Sequence, residues 1–118
     1  MTKYEKPITD NMKQKVNECY LFLKSIGRYA TKEEIGEYLG VSNERQVRDI
    51  ISVLATRKPI ISKSNSCGYR LAMTKEDLEE VENVWREIDS RIEQLEERKK
   101  PLIKFYEKMK YGIGANND

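Results

Sequence analysis

Histidine is absent from this chain of 118 residues, tryptophan occurs once, cysteine twice and proline three times. Without histidine there is no side chain whose ordinary titration falls near neutral pH, and the commonest general acid–base and metal ligand is gone. Cys19 and Cys67 stand far apart in unlike settings, so they give neither a metal-ligand spacing nor a disulfide framework. Cys19 falls on the apolar face of an expected helix, as a small buried hydrophobe, and Cys67 in an expected turn. No glycine-rich phosphate loop is present either. Acidic pairs such as Glu79-Glu80 and Glu96-Glu97 read as a solvated helix face. The expectation is a protein that is not an enzyme and needs no metal and no cofactor. No apolar run approaches the ~18 residues of a membrane span, and no signal peptide opens the chain, so no membrane partner and a reducing, cytoplasmic setting are expected.

Charge is plentiful: 36% of residues are charged against 38% hydrophobic. The net charge of +2 conceals an asymmetry, because residues 1–71 hold 13 Lys/Arg against 8 Asp/Glu while residues 72–118 hold 9 against 12. Between Val41 and Leu71 the cations Arg45, Arg48, Arg57, Lys58, Lys63 and Arg70 face only Glu44 and Asp49. A basic stretch of this kind attracts phosphates and makes binding depend on salt.

The pattern of elements gives that charge a setting. Residues 1–9 read as a loose arm. Asp10 can cap a first helix whose Met12, Val16, Cys19, Tyr20, Leu23 and Ile26 share one side, and Gly27 ends it. Thr31 and Glu34 have the spacing of a capping box for a helix near 32–39, which Gly40 stops. Gly36 inside that helix costs roughly 1 kcal/mol relative to alanine, and a second helix crossing closely would account for it. That second helix, near 43–57, carries Val47, Ile51 and Leu54 as its apolar stripe, with Ser42 or Asn43 as cap. Pro59 forbids continuation. Ile60–Lys63 and Gly68–Ala72 alternate as two short strands around the turn residues 64–67, with Tyr69 and Leu71 toward the core and Arg70 on the opposite face. Helix, glycine turn, helix, hairpin is the layout of a winged helix-turn-helix, here over residues 10–73.

Gly36, Gly40, Val41-Ser42, then Val47, Ile51 and Leu54, and the closing Cys67-Gly68-Tyr69-Arg70-Leu71, together resemble the winged helix-turn-helix family typified by the DNA-binding domain of the biotin repressor. The resemblance covers about a third of the chain. It departs by one extra residue between Ser42 and Val47, and by Lys58-Pro59 where a glycine is frequent. No ligase domain follows, so biotin chemistry is not implied. The short, lysine-rich format with one long final helix is also similar to small phage and prophage DNA-binding proteins of Gram-positive bacteria. Such a resemblance implies that the second helix of the motif enters the major groove.

Residues 74–110 read as a coiled coil, with 111–118 as a loose tail. Leu78, Val81, Trp85, Ile88, Ile92 and Leu95 step 3, 4, 3, 4, 3, and the register continues through Lys99, Leu102, Tyr106 and Met109. Pro101 is expected to break this helix near Lys100, with a shorter helix after it that continues the coil or folds back. The stripe either packs on its own chain or pairs two chains. Arg91 opposite a second chain's Glu96 favours parallel pairing.

The expected fold is therefore mainly α with a small β-hairpin, a winged helix-turn-helix followed by a long C-terminal helix. The expected function is sequence-specific binding of double-stranded DNA by a homodimer, as a transcriptional or phage replication/partition regulator. The alternative is a winged-helix adaptor whose coil grips a partner protein. Arg45, Arg48, Asp49 and Ser52 turn outward along the second helix of the motif; the alternative for Arg45 is an ion pair with Asp49. Asn43 and Gln46 either touch DNA or cap. Lys63, Asn65 and Arg70 suit phosphate or minor-groove contact, or simply a solvated loop. Thr31 offers a helix N-terminus to a phosphate, or only caps.

Overall fold

The computed structural model describes residues 9–63 and 68–112, and the chain divides into two compact units between Val81 and Glu82. The N-terminal unit begins with α1 (Asp10–Ile26). Its cap is Thr9 rather than Asp10: the Thr9 hydroxyl accepts from the Met12 amide at 3.1 Å. Asp10 instead lies in the first turn, where a carboxylate complements the helix dipole. Gly27 closes α1 in the left-handed region, at φ 60°.

A two-residue strand, β1 (Ala30–Thr31), runs straight into α2 (Lys32–Leu39). The capping box forms as its spacing requires: Thr31 Oγ1 accepts from the Glu34 amide at 3.1 Å, and Glu34 Oε1 accepts from the Thr31 amide at 3.2 Å. After Gly40, Asn43 caps α3 (Glu44–Ala55) by accepting from the Gln46 amide at 3.2 Å. Lys15 on α1 supplies a further closure, donating to the Leu39 carbonyl at the end of α2 (2.7 Å).

Gly36 is explained by what crosses it. A Cβ there would lie 2.7 Å from the Val41 carbonyl oxygen and 3.1 Å from Val47 Cγ2. Gly36→Ala is therefore expected to lower the urea midpoint. The helix-propensity gain of about 1 kcal/mol is outweighed by an overpacking cost of about 1–3 kcal/mol, since the obstructing atom is backbone. A variant as stable as the parent would mean that the turn yields without strain.

Three antiparallel strands complete the unit, in the order β1-β3-β2, with β2 at Ile60–Lys63 and β3 at Gly68–Leu71. Ile60 pairs with Leu71 and Ser62 with Tyr69, while Ala30 pairs with Tyr69 and Thr31 with Gly68. The core joins Val16, Cys19 and Leu23 of α1 to Ile35 and Leu39 of α2, to Val47, Ile50, Ile51 and Leu54 of α3, and to Ala30 and Leu71 of the sheet. Tyr69 packs partly against it. Burial pushes the Cys19 thiol up to about 11, so it stays protonated and inert.

A single 3-10 turn, Lys75–Asp77, leads into α4 (Leu78–Tyr111), which starts in the N-terminal unit and makes up most of the second. The expected break at Pro101 does not occur; the helix runs on through it. Proline's fixed φ is itself helical, and its cost is one missing amide plus crowding of the preceding turn. Glu97 to Pro101 are all exposed, so water has access to the turn that lacks the donor. Among the described residues, no helix is long and apolar enough to cross a membrane.

Candidate nucleic-acid interface

Helix α3 has two sides of opposite character. Val47, Ile50, Ile51 and Leu54 are buried, while Arg45, Gln46, Arg48, Asp49 and Ser52 are exposed. The apolar side fixes the helix against α1 and α2, and the polar side is left to the outside. Of the residues read as contacts, these outward ones lie together on one helix. Asn43, at its start, is occupied as the cap.

The ion pairing differs from the alternative raised for Arg45. Arg45 and Asp49 do not pair among the described residues; instead Arg48 reaches back one turn to Glu44, at 2.8 Å. Lys32, from the first turn of α2, reaches the same carboxylate at 2.6 Å. The Lys32 ammonium, and then Arg48, hold the Glu44 carboxyl below the usual carboxylate range. Neither Glu44 nor Lys32 was singled out by sequence, although the i,i+4 spacing of Glu44 and Arg48 was there to be read. Both line a groove of about 490 Å3 over the α2–α3 turn, with Gly36, Val41 and Ser42 in its wall.

On the sheet, Lys63 projects over the ring of Tyr29, 4.9 Å from its centroid. Arg70 is not left free on the outer face. It is on the face away from Leu71, as the alternation requires, but that face is covered: its guanidinium meets Asp77 at 2.7 Å and Glu80 at 3.4 Å, beside the Tyr29 ring. Only 15% of its side chain is exposed. The reason is tertiary, since Asp77 and Glu80 belong to the segment that follows the sheet. Tyr29 donates its hydroxyl hydrogen bond to Glu80 as well. Asn65 lies outside the described residues, as do all of residues 64–67, where a turn was expected.

Asp77 is the centre of that latch. Beyond Arg70 it accepts from the amides of Met73 (2.7 Å) and Thr74 (3.1 Å). These partners, Arg70 first, hold its carboxyl down to about 2 from the usual 3.8. A carboxyl depressed on folding stabilises the fold above its unfolded pKa and loses that contribution as pH falls through the folded one. Asp77→Asn should therefore be less stable than the parent at neutral pH, with the gap closing between pH 4 and 2 in thermal melts. A gap that stayed constant down to pH 2 would show that the ionised carboxylate contributes nothing.

Thr31 is used twice within the fold, as cap and as strand residue. On α4, Leu78, Trp85, Ile88, Ile92 and Leu95 are each at least half exposed, and Val81 is partly buried. The described residues contain no group of three or more acidic or cysteine side chains placed to hold a metal ion.

No known protein family, curated protein or solved structure matches this chain.

Proposed function

We propose that this protein is a sequence-specific double-stranded DNA-binding protein, with residues 10–73 as a winged helix-turn-helix of the biotin-repressor type. In this reading α2, the Gly40 turn and α3 are the helix-turn-helix, β2 and β3 are the wing, and α3 enters the major groove. The chain works as a homodimer through α4, in the cytoplasm, as a transcriptional or phage replication/partition regulator. The carrying observation is the two-sidedness of α3, which sets Arg45, Gln46, Arg48 and Ser52 outward on a helix anchored by four buried aliphatic residues.

Each outward group has a matching chemistry. An arginine, here Arg45 ahead of Arg48 because Arg48 is paired with Glu44, forms two parallel hydrogen bonds to guanine O6 and N7, and a glutamine does the same to adenine N6 and N7. Serine reaches a base or a phosphate, and Asp49 presents an acceptor beside them. Lys63 suits a phosphate, which adds affinity without sequence preference. Thr31, engaged as cap and strand residue, is a weaker candidate than the α3 residues. Arg70, engaged by Asp77 and Glu80, is set behind the α3 residues as a contact in this reading.

The test is a mobility shift with a pool of random duplexes at rising salt. Binding whose logarithm falls linearly with that of salt concentration supports the reading. No shift even at low salt would turn it toward a winged-helix adaptor, with α4 gripping a partner protein.

A further inference from the structure

Glu44 is the first residue of α3, beside Arg45 and Gln46, in a region read above as facing an anionic duplex. A bare carboxylate there would be repelled by phosphates. Here two cations offset its charge, and the manner in which they do so is informative. Lys32 Nζ donates at 2.6 Å and Arg48 Nη2 at 2.8 Å, and both bonds end on the same oxygen, Oε1. The other oxygen, Oε2, accepts no hydrogen bond from the described residues, and 62% of the side chain is exposed. A helix N-terminus favours a negative charge in general, but that effect alone does not call for Lys32, from another helix, to hold one oxygen.

A carboxylate only accepts hydrogen bonds. In the major groove it can therefore engage the amino group of cytosine or of adenine. Adenine sets the N7 acceptor next to its amino group, which opposes a second carboxylate oxygen, while cytosine presents the donor without that neighbour. Resting on the proposal that α3 enters the major groove, we infer that Glu44 is a specificity-determining residue. It selects a cytosine by accepting a hydrogen bond from the 4-amino group at Oε2, while Lys32 and Arg48 hold Oε1. Lys32 is a positioning residue in this arrangement; only 16% of its side chain is exposed, so its own reach toward DNA is short.

The experiment is selection of bound sequences from a random duplex library by the full-length protein, its Glu44→Ala variant and its Glu44→Gln variant, with circular dichroism to establish that each is folded. The wild type is expected to enrich cytosine at one position of each half-site, by about tenfold or more over the other bases. Glu44→Ala should lose preference there and keep it elsewhere. Glu44→Gln, whose amide both donates and accepts, should move that position toward adenine. The same motif from all three proteins overturns the inference, and so does a uniform weakening that leaves every preference in place. A wild type that enriches no motif overturns the DNA-reading proposal itself, and this inference with it.

Discussion

Replacing Ile88 with aspartate should abolish the pairing proposed for α4 and leave a monomer in sedimentation, with the helical circular dichroism of the N-terminal unit retained. Ile88 occupies a d position in the seam that runs from Leu78 to Leu95. In the single chain it is 52% exposed, so an aspartate there stays in water. In a pair it would be buried against apolar neighbours, where an uncompensated charge costs about 3–5 kcal/mol. Each large apolar side chain the seam covers contributes roughly 1.5–3 kcal/mol, so one charge offsets about two of them. Affinity for a two-half-site operator should fall with the dimer, because the second half-site is then bound without any gain in effective concentration. A wild type that remains monomeric at high micromolar concentration would remove the dimeric operator from the proposed function. The flanking charges add little to that balance. Arg91 already pairs with Glu87 on its own helix, at 3.0 Å, and Glu96 with Lys99 at 3.8 Å. An interchain Arg91–Glu96 bond would replace these contacts, and exposed pairs of this kind are worth at most about 1 kcal/mol.

Ile50→Ala should unfold much of the N-terminal unit, whereas Ser52→Ala, two residues along the same helix, should leave its stability within about 0.5 kcal/mol. Ile50 is fully buried in the core made by α1, α2, α3 and β3. Truncating such a residue removes its transfer energy and leaves a cavity, at about 2–5 kcal/mol. A core of about 70 residues supplies only about 3–5 kcal/mol, so the loss is comparable to the whole. Urea denaturation monitored by helical circular dichroism measures both variants. Equal midpoints would mean that α3 is not held by the face described for it.

What could be read from the residue order was what local chemistry decides. Thr31 with Glu34, and Gly40 after Leu39, mark α2 because a cap and a stop each act within one helical turn. Val47, Ile51 and Leu54 mark the buried side of α3, and the structure adds Ile50 between them. The choice of Thr9 over Asp10 was not legible, since adjacent residues both offer acceptors and only the backbone decides which is the cap. Strand β1 was missed because two residues carry no alternation; it exists through its pairing with β3. At the candidate interface, the outward direction of Arg45, Arg48, Asp49 and Ser52 followed from helical period. The engagement of Arg70 did not, because Asp77 and Glu80 reach it only through the fold. Glu44 lay between these cases. Its link to Arg48 is local, but Lys32 arrives from twelve residues away across the turn.

Thr31 joins parts that would otherwise fluctuate separately. Its side chain and amide close the first turn of α2, while its place opposite Gly68 ties it to the middle strand of the sheet. Peeling β3 from β1 would therefore loosen the start of α2, and fraying α2 would free an edge of the sheet. Local openings of this kind are what allow parts of a small fold to exchange with solvent piecemeal. Here the middle strand and the helix pair share a residue at the point where either would begin to open, so their openings are expected to be coupled in hydrogen exchange.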